Sequence, residues 1–149
     1  LDEKVSVMSK VLFPAWGDPD LPFLNRLTMI ISAHFDFLVE NPLLPRFLIN
    51  EILSRPERYE LLQSRISQYA GVVFDNLQTE ITKSVEKGEI LPVDGKMLFI
   101  NVMSLNVFTF IAYPLLETAM GDLMADRERF LAIRKAENIE VIMSRILKR

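Results

Sequence analysis

The sequence predicts an all-α fold. Apolar residues recur at intervals of three and four along the whole chain, and prolines and glycines cut that pattern into about six segments. No stretch alternates apolar with polar residues as a half-buried strand does. With 149 residues, 50% of them hydrophobic, the chain can bury one substantial core, so residues 1–149 are read as a single domain. The 17 Lys and Arg against 20 Asp and Glu give a formal charge of −3, so the chain carries no positive field to attract a phosphate backbone. The absence of cysteine removes disulfides, thiolate metal sites and thiol nucleophiles, and fits a reducing, cytoplasmic compartment.

Leu1, Val5, Met8 and Leu12 fall at helical spacing as far as Phe13, with no cap ahead of them. Asp2, Glu3 and Lys4 stand where a cleavable leader would turn apolar. Residues 1–13 therefore read as the end of a helix that begins upstream, and the sequence as a fragment. Pro14 stops this helix, and Trp16 to Asp20 form a loop. Asp20 is expected to cap the next helix, with Pro22 in its first turn. That helix carries Phe23, Leu24, Leu27, Ile30, Ile31, His34, Phe35 and Leu38 on one face and ends near Asn41-Pro42.

A short helix follows from Arg46 to Arg55, and Pro56 opens a long one with the stripe Tyr59, Leu62, Ile66, Tyr69, Val73, Leu77, Ile81 and Val85, closed by Gly88. Asp94 caps the stretch Met97 to Leu116, which is apolar nearly all round and is read as one continuous helix. It is long enough for a bilayer, but Asn101, Ser104, Asn106, Thr109 and Pro114 assign it to a protein interior. The last helix starts near Asp126 and buries Phe130, Ile133, Ile139, Ile142, Met143 and Ile146 inside a charged exterior.

Catalytic chemistry finds few residues to use. His34 is the one histidine, which excludes paired-histidine di-metal and HExxH zinc sites and leaves a Ser-His-Asp arrangement without a nucleophile elbow. No GxGxxG is present, and the Gly88–Lys96 loop has Met97 where a phosphate loop needs Ser or Thr. Asp18 and Asp20 read as capping residues rather than cation ligands. The expectation is a non-enzyme with no catalytic residues, no metal and no cofactor.

Three stretches carry a family likeness: His34-Phe35-Asp36-Phe37-Leu38-Val39-Glu40-Asn41-Pro42 running into Leu44-Pro45-Arg46-Phe47, the loop Glu86-Lys87-Gly88-Glu89-Ile90-Leu91-Pro92-Val93-Asp94, and the apolar penultimate helix followed by a charged amphipathic one. In order and spacing they resemble the C-terminal domain of TetR/AcrR-family transcriptional regulators. Leu91 stands where that family commonly has arginine, and Gly95 where it commonly has proline. The resemblance implies a helical bundle with a small-molecule pocket and a homodimer formed through the last two helices. It also implies a linking helix at residues 1–13, and DNA contact only through a helix-turn-helix domain outside this sequence. On this reading the chain senses an apolar or amphipathic effector for a repressor and has no membrane role. The alternative is a stand-alone helical carrier of lipids or similar small molecules.

Facing positions give the candidate ligand-binding residues: Trp16, Leu27, Ile31, His34, Phe35, Tyr69, Val73, Met103, Asn106 and Phe110, around a cavity of roughly 300 to 1,000 Å³. His34 either fixes a polar group of the ligand or is a core histidine bonded to a backbone carbonyl. At about 100° per residue the penultimate helix has two faces, one with Phe99, Met103, Asn106, Phe110 and Tyr113, the other with Asn101, Ser104, Leu105, Phe108 and Ala112. Two apolar faces imply two buried surfaces, and the second predicts a dimer interface of Ser104, Leu105, Phe108 and Ala112 with Ile139, Ile142, Met143 and Ile146 of the last helix.

Overall fold

The computed structural model describes residues 20–147, apart from the side chains of Arg58, Leu61, Leu62, Arg65, Ile66 and Tyr69. The expected linking helix at residues 1–13 lies outside the described residues. Helix α1 (Phe23–Glu40) has Pro22 at its N-cap position, two residues after Asp20. The Pro22 carbonyl accepts from Arg26 N at 3.1 Å. Asn41 closes it, its backbone N–H and its side-chain Nδ2 both donating to the Phe37 carbonyl. Helix α2 (Leu44–Ser54) starts two residues before the expected Arg46, with Pro45 in its first turn, where a missing N–H costs nothing. Helix α3 (Pro56–Glu86) runs 31 residues. It ends before Gly88, whose φ of 75° takes the chain through the left-handed turn that glycine permits.

Helix α4 (Gly95–Ile111) is capped as the sequence predicts, Asp94 Oδ1 accepting from Met97 N at 3.0 Å. The expected continuous helix from Met97 to Leu116 is corrected here. The chain breaks at Ala112, and α5 (Tyr113–Met120) with the 3₁₀ turn Gly121–Met124 leaves α4 at 75°. Pro114 is the cause: it has no N–H for the Phe110 carbonyl, and its ring would crowd that group in a straight helix. Arg46 Nη2 reaches across to the Ile111 carbonyl at 3.3 Å. Among the described residues no single helix is long and apolar enough to cross a membrane. Helix α6 (Arg127–Ile146) opens on an Asp126 cap accepting from Arg129 N at 3.2 Å.

Helix α1 is the hub, packing on α3, α4 and α6. It runs in the same direction as α4, since Ile31 meets Asn106 and Phe35 meets Phe110 edge to face at 5.4 Å. Helix α6 runs opposite to both: Lys135 pairs with Asp36 at 2.9 Å, while Ile142 and Ile146 pack at the other end of α1. An ion pair of 2.6 Å from the buried Arg26 to Glu80 ties α1 to α3.

The interior forms two apolar clusters. The first holds Phe23, Leu27, Ile31, Leu77, Ile81, Leu98, Val102, Ile142 and Ile146. The second holds Phe35, Phe37, Leu38, Phe110, Met124, Phe130 and Leu131. Each such side chain contributes about 1.5–3 kcal/mol by leaving water, so the clusters, rather than helix propensity, fix the bundle. The α3–α4 loop seals the first cluster with Ile90 and Val93, and Leu91 N donates to the Ile146 carbonyl at 2.7 Å beside an isolated Ile90–Leu147 bridge.

Gly95 has a local reason. Its N–H donates to Gln78 Oε1 at 2.8 Å, and a Cβ there would lie 3.1 Å from that oxygen and 3.3 Å from Leu77 Cγ. Proline would lose the donor and fill the same space.

Candidate ligand-binding site

Between the two apolar clusters lies a level of three polar residues from three helices: His34 on α1, Asn106 on α4 and Asn138 on α6, each with 0% exposure. Asn106 Nδ2 donates to the Ile31 carbonyl at 3.1 Å and lies 3.0 Å from His34 Nδ1. Asn138 Nδ2 donates to the Leu105 carbonyl at 3.1 Å and to Asn106 Oδ1 at 2.9 Å.

The two backbone carbonyls orient both amides, because a carbonyl only accepts and must face the NH₂ end. With Asn106 so oriented, its Nδ2 is the donor to His34, Nδ1 must accept, and the proton of the neutral ring sits on Nε2. Burial pushes the His34 pKa down from 6.5 to about 4, because the imidazolium would lose its water, so the ring stays neutral at physiological pH. Such a ring is a hydrogen-bond donor rather than a proton shuttle.

Among the described residues two buried atoms of this level have no partner: His34 Nε2 and Asn138 Oδ1. A core histidine would satisfy its ring on a backbone carbonyl, and no carbonyl of the described residues receives Nε2. A buried polar group left unpaired costs about 1–3 kcal/mol, so both atoms call for a partner beyond these side chains.

Of the sequence-predicted pocket residues, the structure brings together Ile31, His34, Phe35, Asn106 and Phe110, all buried, with Leu27 one turn back along α1 in the first cluster. Met103 and Val73 are half-buried on α4 and α3. Tyr69 lies on α3 with its side chain outside the described residues, and Trp16 lies outside them altogether. A recess of about 500 Å³ lies elsewhere, along the outer face of α3, lined by Asp75, Gln78, Thr79, Thr82, Lys83 and Glu86. Those six residues share one face of one helix and carry both signs of charge, which makes them solvated surface rather than an apolar cavity.

The expected dimer residues divide. Ser104 and Phe108 are exposed, Leu105 and Ala112 half-buried. Ile142 and Ile146 are buried in the chain's own first cluster, and Ile139 and Met143 are half-buried against it, because that side of α6 faces the bundle. Met97 (56% exposed), Ile100 (51%) and Phe108 (57%) form with Asn101 and Ser104 an outward apolar face of α4. Ile133 and Val141 are exposed on α6.

Sequence reasoning left Met97 and Ile100 out of the interface, although the steps from 97 to 100, 104 and 108 are the ordinary spacing of one helix face. It also passed over Asn138. The signal was its place seven residues after Leu131 and four before Ile142, in line with buried positions. No family model and no curated protein matches the chain.

Proposed function

We propose that this chain is the effector-sensing and dimerising domain of a TetR-like transcriptional repressor, acting in the cytoplasm and reaching DNA only through a helix-turn-helix domain outside this sequence. The observation that carries the reading is the two-sidedness of α4. One face joins Asn106 and Phe110 to the buried His34 level, and the opposite face leaves Met97, Ile100 and Phe108 in water. Large apolar groups grouped on one exposed face mark a surface meant for a partner. In this reading the partner is a second copy, its α4 and α6 packing on the first about a two-fold axis, so that each residue meets its counterpart. The effector is apolar or amphipathic, since the residues around His34 are Ile31, Phe35 and Phe110.

Light scattering on a sizing column tests the dimer, and mass spectrometry of ligand retained through native purification tests the sensor. A dimer that retains a small apolar molecule is expected. A monomer that retains one fits a stand-alone carrier instead, and a chain that does neither overturns the proposal. In a parent chain that includes the DNA-binding domain, the effector must release a pseudo-palindromic operator in a gel-shift titration.

A further inference from the structure

We infer that the effector carries a neutral oxygen acceptor, such as the carbonyl of a ketone or ester, and that His34 Nε2–H donates a hydrogen bond to it. This rests on the sensor reading above and adds the chemistry of recognition to it. The donor is fixed from the backbone outward. The Ile31 and Leu105 carbonyls orient the two amides, Asn106 then occupies Nδ1, and the proton is left on an Nε2 that is buried and without a partner among the described residues. An N–H held in a set direction with nothing to receive it selects a group that accepts.

The same level argues for neutrality. Its members are one imidazole and two amides, so a carboxylate or ammonium brought there would lose its water without meeting an opposite charge among them. The neighbours Ile31, Phe35 and Phe110 require the rest of the molecule to be apolar. A site whose buried donor would otherwise go unpaired discriminates against the analogue that lacks the acceptor.

Matched pairs differing by C=O against CH₂ test this: benzophenone with diphenylmethane, and 2-heptanone with n-heptane, titrated against the full chain and its His34→Leu variant by displacement of an apolar fluorescent probe. In at least one pair the ketone is expected to bind the unmodified chain roughly tenfold more tightly, with the preference lost in the variant while hydrocarbon binding persists. Persistent hydrocarbon binding also shows that the variant is folded. If ketone and hydrocarbon bind equally, the acceptor inference falls, Nε2–H being satisfied by a trapped water, and the sensor reading stands. If no member of either pair binds, both fall.

Discussion

Asn106 holds the imidazole of His34 in a single tautomer: its Nδ2 lies 3.0 Å from Nδ1 and is committed as a donor by the Ile31 carbonyl at 3.1 Å. Long-range ¹⁵N NMR of the ring reads this directly. The expected spectrum of the ligand-free chain has an unprotonated Nδ1 and a protonated Nε2 at pH 7, with the Nε2 proton exchanging slowly because the ring is buried. A protonated Nδ1 would show that the amide is turned the other way.

The same burial makes stability depend on pH. A histidine with a pKa of about 4 when folded and 6.5 when unfolded binds more protons in the unfolded chain between those values. Its contribution is therefore fully present above pH 6.5 and is lost as pH falls towards 4, a change on the order of 3 kcal/mol. Urea unfolding of the unmodified chain and of His34→Leu at a series of pH values isolates it, because the carboxylates are common to both. The difference between the two curves must grow over that window, and a constant difference would mean that the ring titrates normally.

The two asparagines are not equivalent. Replacing Asn106 by leucine strands His34 Nδ1 and one Asn138 donor together, while the Ile31 carbonyl keeps its helical bond. Replacing Asn138 by leucine strands the single atom Asn106 Oδ1 and also removes an oxygen that has no partner among the described residues. Asn106→Leu is expected to cost about 3 kcal/mol and Asn138→Leu about 1 kcal/mol, measured by urea denaturation. Equal losses would mean that Asn138 Oδ1 is satisfied in solution.

Phe108 and Ile142 separate association from folding. Phe108 is exposed, so Phe108→Glu should leave the fold intact while placing like charges across a two-fold interface, turning a dimer into monomer by light scattering. Ile142 is buried in the first cluster, so Ile142→Ala should lower unfolding free energy by about 2–5 kcal/mol. A Phe108→Glu protein that stays dimeric locates the interface away from α4.

Much of the bundle was legible because its signals are local. Asp94 caps as its position before an apolar run predicts, the last helix opens at Asp126 as expected, and the α1 stripe from Phe23 to Leu38 is buried apart from the half-buried Leu24. The break at Ala112 was not read, even though Pro114 announced it, because a helix apolar on every side has no phase for periodicity to lose. The site was half legible. His34 and Asn106 stood out as polar residues on apolar faces, whereas Asn138 was hidden among the charges of α6. Ile142 and Ile146 were assigned outward because a pattern of apolar residues shows that a face is covered, but not whether its own chain or another covers it.

The three-helix polar level also sets how this bundle can move. Advancing α6 along α4 by one helical turn, about 5.4 Å, would part Asn138 from both Asn106 and the Leu105 carbonyl and bring Ile142 or the charged pair Arg134 and Lys135 to the level in its place, neither of which offers the same amide. A small rotation about the level leaves the same bonds nearly unstretched. Side-chain bonds gathered at one height thus make α1, α4 and α6 resist sliding past one another more than tilting about that height, with the Phe35–Phe110 contact on one side of it and the Phe23–Leu98 cluster on the other.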